Sequence, residues 1–155
     1  MGTAIEERLN DLGLSLPNAA APAANYLPFA RQGDLIFVSG QLCIGPDGLT
    51  IKGKLGGNVA LADGQEAARL CALNILAQAK AALDGDLERI LQIVRITGFV
   101  ASEPGFTDQH LVINGASDLL VDVLGERGRH SRAAVGMACL PLDAAVEIDA
   151  VIAVG

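Results

Sequence analysis

A strict alternation near the C-terminus constrains the fold more than any other feature of this sequence. In the segment Ala144–Val154, every second residue is apolar, and the residues between them form a second series that mixes two acids with small apolar residues. The first series is Val146, Ile148, Ala150, Ile152 and Val154; the second is Glu147, Asp149, Val151 and Ala153. A period of two predicts a β-strand. One face of this strand reads as core, and the other is half-apolar, which favours burial in an oligomer.

Two longer segments have helical periodicity instead. The first begins at Asp63 and ends by Gly85, and its apolar stripe is Ala68, Cys71, Ala72, Ile75, Ala79, Ala82 and Leu83. Leu70 and Leu73 fall outside that stripe and predict a second buried contact, which a subunit interface would supply. The second helix spans Thr107–Leu124, and its inner stripe is Val112, Ala116, Leu119, Leu120 and Val123. Gly115 inside it costs about 1 kcal/mol relative to alanine, so we expect close packing there.

Further apolar runs predict the other strands. They are Asp34–Ser39, continued after Gly40; a return strand Leu49–Leu55 beyond a turn at Gly45–Gly48; Ile93–Ser102; and Ala133–Leu140. Residues Asp86–Gln92 are predicted to form a short turn or helical piece that joins the first long helix to the strand at Ile93. A capping box at Thr3 and Glu6 begins a short helix, Thr3–Leu12, and Ser15–Pro28 reads as an extended segment. The order predicts one α+β domain over residues 1–155, with a mixed sheet and two main helices on one face. Residues 1–24 of this domain form the N-terminal helix and an extended arm.

Composition excludes several classes of protein. A chain of 155 residues is one domain, long enough to bury a core without metal or disulfide support. The net charge of −7 and an aromatic content of 3% disfavour nucleic-acid binding. No apolar run is long enough for a membrane span and no signal peptide is apparent, so we expect a soluble cytoplasmic protein.

The cysteines and histidines give weak signals. Cys43, Cys71 and Cys139 are odd in number and widely spaced, and we interpret them as buried thiols, with a reactive thiol as the lesser alternative. His110 is predicted on a helix and His130 in a solvated loop. No cluster has metal-ligand spacing, so no metal is predicted.

One segment matches a phosphate-binding spacing without its other features. Gly48–Lys54 fits G-x-x-x-x-G-K, but Leu55 stands where the P-loop needs Ser or Thr, and Gly56 and Gly57 prevent a helix from beginning there. We therefore interpret the segment as part of a hairpin.

Arg132 and Glu147 are the residues with the greatest chemical potential. Arg132 opens a strand directly after a polar loop, where its guanidinium can offer two parallel donors to a carboxylate. Glu147 lies in an otherwise apolar strand, where partial burial raises a carboxyl pKa and allows proton transfer. The alternative is structural, as an edge charge and an interface ion pair.

Most of the chain, from about Asn25 to Val154, resembles the RidA/YjgF family of reactive intermediate deaminases, also called L-PSP endoribonucleases. The segment LIFVSGQLCI resembles the family's strand–Ser-Gly-Gln–strand, and SRAAVGMACLPLDAAVEIDAVIAV resembles its C-terminal signature. The segment INGASDLLVDVLGERGRHSR and the N-terminal helix are typical of a divergent branch. The resemblance implies a chorismate-mutase-like fold, a homotrimer with sites between subunits, and hydrolysis of 2-enamine or 2-imino acids to 2-keto acids and ammonia without a cofactor.

Carried over position by position, the resemblance assigns roles to six residues. It implies that Arg132 grips the substrate carboxylate and that Glu147 orients or activates water. Substrate-binding positions are Tyr26, Ser39, Asn114 and Ala134. The sequence departs from the family at Ala23–Asn25, which replaces Ile-Gly-Pro; at Ala134, where a cysteine is common; and at Gly136, which replaces a larger residue.

Three functions remain open at this stage. The first is an enamine or imine deaminase that acts on a small carboxylate. The second is a trimeric protein that binds a small carboxylate-bearing metabolite without turnover, which the departures favour. The third is an endoribonuclease, which the acidic charge and the scarcity of aromatic residues disfavour.

Overall fold

The computed structural model describes residues 2–155, which form a five-stranded sheet, a two-stranded hairpin and three α-helices. The helices are α1 (Ala4–Asp11), α2 (Leu61–Ala82) and α3 (Gln109–Leu124). The strands are β1 (Phe29–Gln32), β2 (Leu35–Leu42), β3 (Ile44–Gly45), β4 (Gly48–Leu49), β5 (Ile90–Ala101), β6 (Ser131–Met137) and β7 (Val146–Val154). The large sheet has the order β1-β2-β7-β5-β6, and only β5 and β6 pair in parallel. The predicted α+β architecture is confirmed.

The core lies between this sheet and the pair α2 and α3. All five residues of the first β7 series are buried, and the second series is half-buried, as the alternation predicted. On α2 the predicted stripe is buried, apart from Ala82, which is half-buried. The inner stripe of α3 is buried throughout. The opposite surface of the sheet carries no helix, and we call it the open face.

Gly115 lies where α2 and α3 approach each other. A Cβ atom at this position would stand 2.2 Å from the backbone oxygen of Gln65. Backbone cannot move aside as a flexible side chain can, so only glycine allows this approach. The prediction of close packing is confirmed.

We therefore expect Gly115→Ala to destabilise the protein by about 1–3 kcal/mol, the usual cost of overpacking a core. Urea unfolding measures the change. Gly105→Ala is the matched control, since nothing lies within 4 Å of a Cβ atom there. Equal stability of the two variants would contradict the packing argument.

Several predicted boundaries differ from the structure. The edge strand β1 was not predicted. Of the predicted return strand Leu49–Leu55, only Leu49 lies in a strand, β4. Beyond Gly48–Lys54 no helix begins before Leu61, which agrees with the rejection of a P-loop. Strand β6 ends at Met137 rather than Leu140, and Cys139 is consequently exposed. The prediction of three buried thiols is therefore wrong for Cys139 and correct for Cys43 and Cys71.

The second buried contact of α2, predicted from Leu70 and Leu73, is made with other segments of the same chain. Leu70 and Leu73 are half-buried and line a cleft of about 210 Å³ with Leu14 of the N-terminal arm and Ile44 of β3. The arm is held across α2 by the amide of Gln78, which donates to the carbonyl oxygen of Ala20 at 2.8 Å. A subunit interface is not needed to explain these leucines.

The N-terminal helix α1 lies on the helical layer. Its capping box at Thr3 and Glu6 is present as predicted. Lys80 of α2 pairs with Glu6 at 2.9 Å, and Arg8 donates to the carbonyl oxygen of Asp122 on α3 at 2.8 Å. These contacts hold α1 against α2 and α3 and leave the open face of the sheet uncovered by it.

Candidate functional site

A β-bulge in β2 shapes the first half of the candidate site. Val38 pairs with Ala150 and Gln41 with Ile148, so two residues, Ser39 and Gly40, stand opposite Asp149 alone. A bulge of this kind bends the strand and changes the direction of its side chains. The bulge places the backbone of Gly40 beneath the side chain of Glu147.

Glu147 extends from β7 on the open face and lies against Gly40. A Cβ atom at position 40 would stand 2.0 Å from the carboxylate oxygen Oε1 of Glu147. Glu147 is half-buried, and burial raises the pKa of its carboxyl above the ordinary value of 4.5, with a smaller contribution from the charge of Asp149. A carboxyl of this kind holds its proton to higher pH than a solvated one.

Ser39 lies on the same side as Glu147, close to the segment that follows Tyr26. The Ser39 hydroxyl donates to the carbonyl oxygen of Leu27 at 2.6 Å, and its amide donates to that of Pro28 at 3.0 Å. These bonds fix the segment that follows Tyr26 against the bulge. Ser39 also lines an open groove of about 580 Å³ on the open face, with Phe37, Thr97 and Asp149. Tyr26 is exposed.

Arg132 forms the second half of the site, on the other face of the sheet. It pairs in register with Ile96 of β5, which is buried beneath the helices, so its side chain leaves β6 on the helical side. There Nη1 donates to the hydroxyl of Ser117 at 3.0 Å and Nη2 donates to the carbonyl oxygen of His110 at 2.9 Å. Both acceptors belong to α3.

Asn114 and Ala134 lie beside Arg132. Asn114 is half-buried and stands between His110 and Ser117 on the same side of α3, at helical spacing of four and three residues. Ala134 follows Arg132 by two positions and shares its face of β6. The structure therefore groups Arg132, Asn114 and Ala134 on the helical side.

The two halves do not meet within one copy of the chain. Glu147 and Arg132 lie on opposite faces of the sheet, and the strand β5 separates β7 from β6. Adjacent strands are about 4.8 Å apart, so β7 and β6 are separated by about 10 Å. A small ligand cannot contact both groups in a single copy.

Sequence reasoning missed several residues at these two places. His130 is half-buried between two hydrogen-bond partners, so the expectation of a solvated loop histidine is wrong. Gln109 occupies the space beside Gly136: its Nε2 would stand 2.8 Å from a Cβ atom at that position. The side chain of Gln109, from α3, thus fills the space that a larger residue at position 136 would occupy. No periodicity or motif marks a contact of this kind.

No metal centre is evident: residues 2–155 contain no group of three or more His, Cys, Asp or Glu side chains placed to hold an ion. Nor does any helix within 2–155 have the length and apolar character that crossing a membrane requires.

The model of the family described as "YjgF/chorismate_mutase-like, putative endoribonuclease" matches residues 6–152. The chain belongs to this family. Protein TCP17 of Trypanosoma cruzi is 48% identical over 149 residues, which are 96% of this chain and 92% of that protein.

Two solved structures show where the chain lies within the family. The protein Atu1372 of Agrobacterium tumefaciens, whose function is unknown, is 55% identical, with a TM-score of 0.93 over 98% of this chain and 93% of its own. The E. coli protein TdcF, solved with bound serine, is 25% identical, with a TM-score of 0.58 over 90% of this chain and 94% of its own. The chain thus shares the YjgF fold and lies closer to the Atu1372 branch.

The contact between Gly40 and Glu147 is directly testable. In Gly40→Ala we expect the new methyl group to push the Glu147 carboxylate out of its half-buried position. The pKa of Glu147 then falls toward 4.5, because burial is the main cause of its elevation. A carboxyl ¹³C NMR titration measures this pKa in both proteins.

Gly105→Ala again serves as the matched control and should leave the Glu147 titration unchanged. An unaltered pKa in Gly40→Ala would show that Gly40 does not set the position of the carboxylate.

Proposed function

We propose that this protein hydrolyses 2-enamine or 2-imino acids to 2-keto acids and ammonia, at clefts between the subunits of a homotrimer. The observation that carries the proposal is the pair of uncompensated charges at Arg132 and Glu147. Among residues 2–155, no carboxylate lies within 4.0 Å of the Arg132 guanidinium and no cation lies within that distance of Glu147. Partly buried charges in folded proteins are normally paired, so each of these groups is suited to an outside partner.

Arg132 is suited to a carboxylate. Two of its five N–H groups are used by α3, and three are left for a ligand. A guanidinium held in this way binds an anion at small entropic cost, because its orientation is already fixed.

Glu147 is suited to proton transfer. In the proposed reaction its carboxylate takes a proton from water as the water oxygen bonds to the imine carbon. That proton goes to the nitrogen and gives a carbinolamine. Its hydroxyl proton is then moved to the nitrogen through the same carboxylate as the carbon–nitrogen bond breaks, and ammonia and the keto acid leave. The elevated pKa of Glu147 brings it closer to neutral pH, where such a relay is most effective. The reaction consumes only water.

The open face supports the trimer. Large apolar side chains are exposed there or at its rim, among them Phe37, Val135 and Leu27, at 45%, 42% and 68%. In the proposed trimer, the open face of one subunit packs against the β6 edge of the neighbouring subunit. Glu147 of one subunit and Arg132 of its neighbour would then line one cleft.

A second function is favoured by a different observation. The E. coli relative TdcF was solved with bound serine, an amino acid that carries a carboxylate. The bound serine favours a trimeric protein that binds a small carboxylate-bearing metabolite without turnover. Alanine at position 134, and Gln109 in the space beside Gly136, favour the same function. The family description also names an endoribonuclease. The charge of −7 works against a long RNA-binding groove.

We expect the wild-type protein to accelerate ammonia and keto-acid release from 2-iminopropionate generated in situ. Arg132→Ala should lower kcat/KM by about 10²-fold or more, as loss of a charged hydrogen-bonded contact does. Arg132→Lys should recover little, because an ammonium cannot reproduce the planar fork.

Arg69→Ala removes an arginine that pairs with Glu66 on the surface of α2, and is the matched control. No acceleration by the wild type, together with Arg132-dependent binding of keto acids, would favour the binding protein over the deaminase.

Light scattering should give a trimer in solution. Phe37→Asp places a charge on the open face and should dissociate the assembly. Leu12→Asp makes the same kind of change at the end of α1, on the helical layer, and should not. A stable wild-type monomer would rule out clefts between subunits.

A further inference from the structure

Behind Arg132, between α3 and β6, lies a short chain of hydrogen bonds that the proposed reaction does not use. The His130 ring nitrogen Nδ1 is 2.6 Å from the carbonyl oxygen of Gly128. Its Nε2 is 2.8 Å from the hydroxyl of Ser117, which in turn lies 3.0 Å from Nη1 of Arg132. Ser117 and His130 are both half-buried.

With a neutral imidazole ring, the chemistry of the end groups fixes the direction of every bond in this chain. The Gly128 carbonyl can only accept, so Nδ1 of His130 carries the hydrogen. In the neutral ring Nε2 is then an acceptor, and the Ser117 hydroxyl donates to it. The Ser117 oxygen keeps a lone pair that accepts from Nη1 of Arg132. The neutral Nδ1–H tautomer satisfies each donor and acceptor in sequence.

The consequence is a guanidinium held at two points. Ser117 fixes Nη1, and the carbonyl oxygen of His110 fixes Nη2 at 2.9 Å. Because the guanidinium is planar, two fixed nitrogens determine the plane in which the remaining N–H groups lie. A backbone carbonyl is an immobile partner, whereas a serine hydroxyl rotates freely unless another group holds it. His130 is the group that holds it.

We propose that Ser117 and His130 are positioning residues, which set the orientation in which Arg132 presents its free N–H groups to the carboxylate of a small 2-oxo or 2-imino acid. This inference rests on the proposed function for the identity of the ligand. A purely structural role, tying the segment before β6 to α3, would require the same contacts but would not affect the motion of Arg132 or its affinity for an anion.

The first test needs no ligand. Arginine side-chain ¹⁵N NMR reports rotation within the guanidinium. In the wild type we expect slow rotation at Arg132, and in Ser117→Ala and His130→Ala faster rotation. Ser131→Ala is the matched control: its hydroxyl donates to the carbonyl oxygen of Val94, and it lies next to Arg132 on the opposite face. Fast rotation in the wild type, or no change in Ser117→Ala, would overturn the proposal. Ser117→Ala keeps a good helix former in α3, so the test does not depend on the folding of His130→Ala.

The second test uses pyruvate as the probe and isothermal calorimetry as the readout. Ser117→Ala should weaken pyruvate binding about three- to tenfold, as expected for loss of an orienting hydrogen bond to a charged group, with little change in thermal stability. Ser131→Ala should bind as the wild type does. In turnover of 2-iminopropionate, Ser117→Ala should raise KM more than it lowers kcat.

The outcomes separate the two proposals. Arg132-dependent pyruvate binding that weakens in Ser117→Ala, without any imine hydrolysis by the wild type, would end the deaminase proposal and support the positioning role. Arg132-dependent binding that Ser117→Ala leaves unchanged would overturn the positioning role alone. Absence of Arg132-dependent pyruvate binding would overturn the role assigned here, whatever the NMR result.

Discussion

Burial of one face of the sheet beneath α2 and α3 is the interaction on which the rest of this structure depends. The central strand β7 contributes five alternate residues to that core, and α3 can approach α2 because Gly115 leaves room for the backbone of Gln65. Once this face is buried, the period of two in each strand decides where every other side chain points. Glu147 must then lie on the open face, because both of its neighbours in β7 belong to the core.

The pairing of β6 with β5 decides the second half of the site. The parallel register places Arg132 beside Ile96, on the buried side, and at the edge of the sheet its side chain reaches α3 rather than the core. Two charged groups without partners among residues 2–155 thus occupy opposite faces of one sheet. That separation is why the proposed chemistry requires more than one copy of the chain, and why the exposed apolar side chains of the open face bear on function as well as on assembly.

Local contacts support both of these groups. Gly40 admits the Glu147 carboxylate, His130 and Ser117 hold Arg132, and Gln109 fills the space beside Gly136. Gly136 is one of the positions at which the resemblance to the family indicates a departure. The structural similarity to Atu1372 is higher than that to TdcF, so within the shared fold the chain lies closer to Atu1372.

The sequence by itself determined the α+β class, the two main helices and their buried stripes, and the face of β7 that carries Glu147, because periodicity records burial directly. It also singled out Arg132 and Glu147 as residue types suited to binding and proton transfer. Only the tertiary structure decided that these two lie on opposite faces, that Cys139 is exposed, that Leu70 and Leu73 pack against the chain's own arm, and that His130 is held between Gly128 and Ser117. Each of these depends on strand register, on where a strand ends or on contacts between distant segments, and local patterns of hydrophobicity do not encode them.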